Sequence, residues 1–558
     1  MRRLAPLATV LIALSCKGPD RTASIAADTA SAGGTIVIST GGDPDVLFPP
    51  LEATIQGRQV SELVYDHLAD LGTGLNTVGD GGFEPHLAKS WSWSPDSLSI
   101  AFALDPRARW HDGVPARASD VAFTYTLYKD AATASPSAPL ISDIDSVTAP
   151  DSLTAVFWFS RRSPMQFFVS VNPMVILPEH LLRGVKGPGL RTSALARSPV
   201  GTGRFRFVSW KAGSSISLAA DRGNYRGRPK IDRVIWSIAP DFNTAFTRLL
   251  GGEADVLEQL AAPNVAQLVG NNQLRTVLLP GLEYNFIQFN LRDPASRTRP
   301  HPLFADRGLR RALTMAVDRA HTVQNVYDTL AAVAVGPTVR AYASTDTTLQ
   351  QIPYSVEGAR RLLDSLGWRL SGGDSVRIRN GRRLEFTVSV PSSSRNRMNM
   401  AVLIQNQLRQ VGAIMDIDRL DFPSFVDRES HRAFDAVIGS WSVDASPGGV
   451  RQTWGSAGSK PAGGSNYGSY ENPAFDAAVD SALSAMSLED RRARFKRAYQ
   501  IIIDDAPAVW LAEPRSVMGM SRRIRTPAFR PDAWWALIAD WWVPPSERIP
   551  RDRVGSPR

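Results

Sequence analysis

The residues best placed to do chemistry lie in ARWHDGVPARASDVAFTYTLYKD, residues 108 to 130, where His111 precedes Asp112 and Gly113. An imidazole beside a carboxylate suits a metal site, a proton-transfer pair or a turn. A helical zinc site would pair histidines three or four residues apart, but the seven here, at 67, 86, 111, 180, 301, 321 and 431, are dispersed. The sequence has no H-E-x-x-H, G-x-S-x-G, Walker A or EF-hand pattern. GTGRFR at 201 lacks the third glycine of a dinucleotide fingerprint. No metal, cofactor or catalytic set is therefore expected, although a Ser-His-Asp triad drawn from distant residues would escape such a search.

The elements flanking the triplet decide its role. LSIAFAL upstream is strand-like, and SDVAFTYTLYKD downstream places Val121, Tyr125 and Tyr128 on one helical face. Between them, Asp-Gly followed by Pro115 is turn chemistry: Gly permits positive φ, Asp bonds nearby backbone, and Pro restricts the backbone around it. His111-Asp112-Gly113 is expected to join strand to helix.

Over 558 residues, apolar positions switch between periods of two and of three to four, which predicts mixed α and β structure in several domains. TIVIST (35 to 40) and LTAVFWF (153 to 159) are expected strands, and Gln59 to Leu68 an expected helix. In DRGLRRALTMAVDRAHTV (306 to 323), Leu309, Ala312, Leu313, Ala316 and Val317 form one buried stripe, with Asp306 as N-cap. Two further helices, 355 to 368 and 399 to 412, end at Gly367 and Gly412, and Asn472-Pro473 opens another. The four tryptophans of PDAWWALIADWWVP (531 to 544) suit a stacking surface or core packing, and packing by a last strand and helix is expected.

The net charge of +9 comes mainly from arginine, since only eight of the 63 basic residues are lysine. Their scatter argues against a nucleic-acid binder, which concentrates its charge on one face. At the N-terminus, Arg2 and Arg3 precede an apolar run from Leu4 to Leu14 and then Ser15-Cys16. That is export-signal architecture, too short to span a bilayer comfortably. Ile12 to Cys16 resembles a lipobox, with Ala13 where Leu is usual, which makes Cys16 the expected lipid-attachment residue; an ordinary cleaved leader is the alternative. Residues 1–15 are then a lipoprotein signal peptide and 16–34 a small, polar tether.

WHDGVPARASDVAFTY resembles the signature of the family 5 extracellular solute-binding proteins of ABC importers, the dipeptide- and oligopeptide-binding type. Arg117 stands where that family has a capping Thr, leaving Ser119 to take the cap. The likeness continues in order through FEPHLAKSWSWSPD (83 to 96), SPVGTGRFRFVSWKAG (198 to 213), LLGGEADV (249 to 256), FADRGLRRALTMAVDR (304 to 319) and GSNYGSYENPAFD (464 to 476).

The resemblance implies an α/β type II periplasmic-binding fold, two hinged lobes with an additional inserted domain. Lobe I is projected onto 33–78, 198–289 and 511–558, domain II onto 79–197, and lobe III onto 290–510. It also implies a non-enzymatic monomer that traps a peptide between its lobes and delivers it to membrane permease subunits from the periplasmic or extracytoplasmic face. An oligosaccharide, nickel complex, glutathione or opine-like ligand is the alternative within that role, and an exported hydrolase on an unrelated mixed fold the alternative outside it.

FDAVIGSWSVDASPGG (434 to 449) resembles the family segment in which an Asp three residues after Trp anchors a peptide amine. By that match Trp441 lines the pocket, Ser442 offers backbone hydrogen bonds and Asp444 is the anchor. Ala445 and Ser446 replace the usual Tyr and second acidic residue. On the facing lobe, PPLEATIQG (49 to 57) brings Thr54 and Ile55 near the ligand backbone.

Overall fold

Two twisted sheets, each with its own helices, organise the chain in a computed structural model that describes residues 32–370, 375–460 and 464–553. The first has seven strands, in spatial order Leu274–Leu279, Ser516–Ser521, Val256–Leu257, Thr35–Thr40, Arg233–Ile238, Ser215–Ala220 and Phe205–Lys211. Thr35–Thr40 runs parallel to both its neighbours and is buried at every position. A strand covered on both faces suits a run such as TIVIST, β-branched at every position but Ser39, rather than polar–apolar alternation.

The second sheet has six strands, in order Ala331–Val333, Ala508–Pro514, Glu283–Phe289, Ala436–Ser442, Glu385–Pro391 and Ile414–Leu420. A four-stranded antiparallel sheet of Ala88–Trp93, Ser99–Leu104, Thr154–Trp158 and Ser146–Thr148 packs with helix Ala118–Lys129, and its apolar residues join one core with those of the first sheet. The second sheet is filled separately, by one cluster on one face and by two, the smaller made of Phe425, Phe434 and Val437, on the other.

The chain crosses between the two large sheets directly from strand to strand, from Leu279 to Glu283 and from Pro514 to Ser516. The projected division at 289/290 leaves the whole of strand Glu283–Phe289 in lobe I, and that at 510/511 cuts through strand Ala508–Pro514. Pairing assigns both strands to the second sheet. The crossings touch: a Cβ on Gly281 would lie 1.8 Å from the Pro514 carbonyl oxygen, so only glycine fits there.

His111-Asp112-Gly113 forms a turn. Gly113 has φ +95°, the Asp112 carboxylate accepts from the Val114 amide at 3.1 Å, and Arg109 bridges to Pro115. His111 Nε2 lies 2.9 Å from the Gly203 carbonyl, and Asp112 pairs with His180 at 2.7 Å. Both ionisable groups thus tie the turn to other segments.

Three local expectations change. Asp120, not Ser119, closes the start of helix Ala118–Lys129: its carboxylate accepts from the Arg117 amide at 2.8 Å, Trp110 Nε1 at 3.2 Å and the Glu179 amide at 2.9 Å. The 306–323 stripe is buried as expected, but Asp318 accepts from the His321 amide and caps a new helix, splitting the run into Arg307–Met315 and Arg319–Tyr327. Trp534, Trp535 and Trp541 are core residues carried by turns and a short 3-10 segment rather than by a strand and helix. The first two donate to Glu258 and Glu62.

Candidate functional site

Strand Ala436–Ser442 carries the site. It is antiparallel to Glu283–Phe289 along its whole length, but its other neighbour, Glu385–Pro391, pairs only with Ala436 and Val437. The far edge of Ile438 to Ser442 therefore has no strand partner among the described residues. Such an edge offers alternating backbone N–H and C=O groups to an extended guest.

The two faces at this strand end differ in character. On one side Ser440 and Ser442 face Asn285 and Glu283 in register. The Tyr327 hydroxyl donates to Asn285 Oδ1 at 2.7 Å, Asn285 Nδ2 donates to Glu283 Oε1 at 2.8 Å, and the Arg397 guanidinium donates to Ser440 Oγ at 2.6 Å. On the other side Tyr284 and Phe286 face Trp441 and Gly439. The Trp441 ring lies near-parallel to Phe286 at 6.4 Å and to Tyr467 at 5.9 Å, and its buried Nε1 has no hydrogen-bond partner among the described residues.

The loop beyond the strand is held by its backbone. Tyr342 Oη lies 2.6 Å from the Asp444 carbonyl oxygen and 3.2 Å from that of Ser446, and the Val443 amide donates to Leu282 at the crossing. Ala445 packs against the core of the first lobe. The loop therefore bridges the lobes while the Asp444 side chain stays exposed, with no hydrogen bond or ion pair among the described residues.

Trp441, Ser442 and Asp444 are thus brought together at one strand end. Thr54 and Ile55 are not joined to them by any hydrogen bond among the described residues. Thr54 is the N-cap of helix Ile55–Val64: its hydroxyl accepts from the Gly57 amide at 3.2 Å and donates to Asp45 at 3.1 Å. That hydroxyl is already engaged, whereas Ile55 is exposed at 39%. Cys16, the signal peptide and most of the tether lie outside the described residues.

Sequence reasoning missed Arg397, Tyr342 and Glu429. Glu429, near the end of helix Phe422–Ser430, places Oε1 3.4 Å from where a Cβ on Gly439 would stand. Burial pushes its carboxyl up to about 7, against the opposing field of Arg397. No sequence signal ties 429 to 439, because the approach depends on how the helix packs.

A polar cavity of about 210 Å³ in the first lobe is lined by Glu62, Asp70, His86, Arg204, Arg226 and Arg530 among others. Its arginines are already neutralised, Arg530 by Asp70 at 2.6 Å, Arg226 by Asp66 at 2.7 Å and Arg204 by Asp540 at 2.8 Å. This is an internal ion network, away from the strand edge. Among the described residues no cluster of His, Cys, Asp or Glu could hold a metal ion, and no helix is long and apolar enough to cross a membrane.

Two large sheets linked by a pair of strand-to-strand crossings, with an open strand edge on the second, make up the frame of the chain. Residues 82–462 match the model of the bacterial extracellular solute-binding proteins, family 5 (middle region), and the chain belongs to that family. It is 26% identical to the oligopeptide-binding protein AppA of Bacillus subtilis (strain 168) over 548 residues, covering 97% of each chain. It is also 26% identical to heme-binding protein A of Haemophilus influenzae over 514 residues, covering 86% of this chain and 87% of that one. The fold matches AppA from Bacillus subtilis in complex with a nonapeptide, with a TM-score of 0.67 at 24% identity over 92% of this chain and 99% of that one. It matches the ABC transporter substrate-binding protein CtaP of Listeria monocytogenes with a TM-score of 0.77, at 22% identity and the same coverage. The type II periplasmic-binding α/β fold implied by the sequence is the fold of this chain. Its relatives are substrate-binding proteins of transport systems that act outside the cytoplasm.

Proposed function

We propose that this protein is the lipid-anchored, monomeric substrate-binding component of an ABC importer, held outside the cytoplasmic membrane through Cys16. It captures di- or oligopeptides between two lobes, the first comprising 33–78, 198–282 and 515–558 with domain 79–197 attached to it, and the second 283–514. It hands them unaltered to membrane permease subunits.

The observation that carries the reading is the unpartnered edge of Ile438–Ser442 ending beside the free Asp444 carboxylate. Peptides differ in side chains but share amides and a terminal amine. An exposed strand edge satisfies the amides whatever the sequence, and a carboxylate at its end satisfies the amine. Closure follows because a guest touching both lobes gains contacts only in the shut form and shifts the population by that difference.

The test is a thermal-shift screen of the purified chain lacking residues 1–16 against dipeptides, longer peptides, oligosaccharides, glutathione, an opine, hemin and nickel–histidine. Peptides are expected to stabilise it, by about 2.7 kcal/mol at a hundredfold excess over Kd. Stabilisation by one of the other compounds with none by peptides would overturn the reading.

A further inference from the structure

We propose that Glu429, with Trp441 and Tyr467, forms a subsite for a cationic side chain of the bound ligand, a lysine ammonium or arginine guanidinium. This rests on the proposed capture of peptides and adds which peptides are preferred.

Gly439 and Trp441 are two residues apart and project to the same face of their strand, the face of Phe286. Helix Phe422–Ser430 brings the Glu429 carboxylate to that face at Gly439. A Cβ there would meet Phe286 ring carbons at 3.0 Å as well as the carboxylate at 3.4 Å. With no side chain at 439, the Phe286 ring and the Glu429 carboxylate both approach the strand there, and the Phe286 ring continues through Trp441 to Tyr467 as a row of near-parallel rings.

Glu429 has no hydrogen-bond or ion-pair partner among the described residues. The nearby cation, Arg397, is engaged with Ser440 on the opposite face. A half-buried acid without a partner gains most from a guest that brings a positive charge, and aromatic rings add attraction for the same charge. Gly439 is itself on the unpaired edge, so an extended peptide pairing there can direct one side chain toward Glu429. Ser442 lies three residues further along the strand, about 10 Å by strand rise, and Asp444 stands in the loop beyond it. The subsite is therefore distinct from the anchor for the terminal amine.

The experiment uses alanine pentapeptides carrying one lysine at each position in turn, with norleucine counterparts as uncharged references. Affinities are measured by calorimetry for the wild type, Glu429→Gln and Glu429→Asp. At one position the lysine peptide is expected to bind the wild type about tenfold more tightly than its norleucine partner. Glu429→Gln should abolish that preference while leaving norleucine affinity within about twofold, and Glu429→Asp should retain part of it. Unliganded melting of Glu429→Gln at or above the wild-type temperature checks that the variant is folded. Equal affinity for both peptides at every position, or a preference that survives in Glu429→Gln, would overturn the subsite and leave peptide capture standing. Failure of every peptide, norleucine references included, would remove peptide capture and the subsite with it.

Discussion

Asp444 and Thr54, both singled out as ligand contacts by resemblance, make opposite predictions because the fold employs them differently. The Asp444 side chain is exposed and unpartnered, so removing its charge costs the empty protein little. When a peptide amine is shut in against it, the pair becomes desolvated and its loss expensive. Asp444→Asn is expected to leave unliganded stability within about 0.5 kcal/mol while weakening peptide binding tenfold or more. Thr54→Ala removes an N-cap acceptor and should cost about 1 kcal/mol of stability, with a smaller effect on affinity. Chemical denaturation and calorimetry on both variants separate the two, and unchanged peptide affinity in Asp444→Asn would remove it as the anchor. Asp444 could be found from sequence because its spacing from Trp441 lies within one segment. Glu429 could not, since its significance comes from a glycine ten residues away that packing sets beside it.

Local sequence marked element ends well wherever one side chain meets its own neighbours. Asp306 and Asn472 cap the helices expected of them, and Gly367 and Gly412 adopt φ +85° and +78°. It marked them poorly where the deciding partner was remote or the competition was fine. The 306–323 stripe continues straight through the break at Asp318, whose amide is taken by Gln407 Oε1 from another helix at 2.9 Å. Nothing in the periodicity reveals that. Asp120 is a sharper case: besides the Arg117 amide it holds Trp110 from the preceding segment and Glu179 from a distant one, joining three segments through one carboxylate. Desolvation raises its pKa, the mark of an acid committed to the interior. Asp120→Ala would strand these donors at about 1 kcal/mol or more each, so a loss of about 3 kcal/mol is expected in the unfolding transition of this domain. Asp120→Asn, which keeps one acceptor oxygen, should lose about half as much. Urea titrations followed by tryptophan fluorescence would show both, and an unshifted transition in Asp120→Ala would mean that the donors find other partners.

At the scale of the whole molecule, the proposed closure would turn on two short crossings that no motif announced, since strand membership is fixed by pairing between residues far apart in sequence. Within this hinge the backbone of Gly281 lies so close to the Pro514 carbonyl that even a methyl group would stand 1.8 Å from its oxygen. Gly281→Ala must therefore separate the crossings, although it touches neither the open edge nor Asp444. If closure is a rigid rotation about these two segments, such a wedge changes the balance of open and shut forms while leaving the ligand contacts intact. Apparent affinity scales with the fraction able to close, so Gly281→Ala is expected to weaken peptide binding about tenfold. Small-angle scattering should show the wild type contracting on saturation with peptide and the variant contracting less at matched occupancy. Gly448→Ala in the site loop, where the nearest atom to a new Cβ would be Ser446 Oγ at 3.9 Å, provides a control without such a clash. It is expected to bind and contract like the wild type. Full contraction and unchanged affinity in Gly281→Ala would place the pivot elsewhere, because a hinge whose two segments tolerate forced separation cannot be what sets the angle between the lobes.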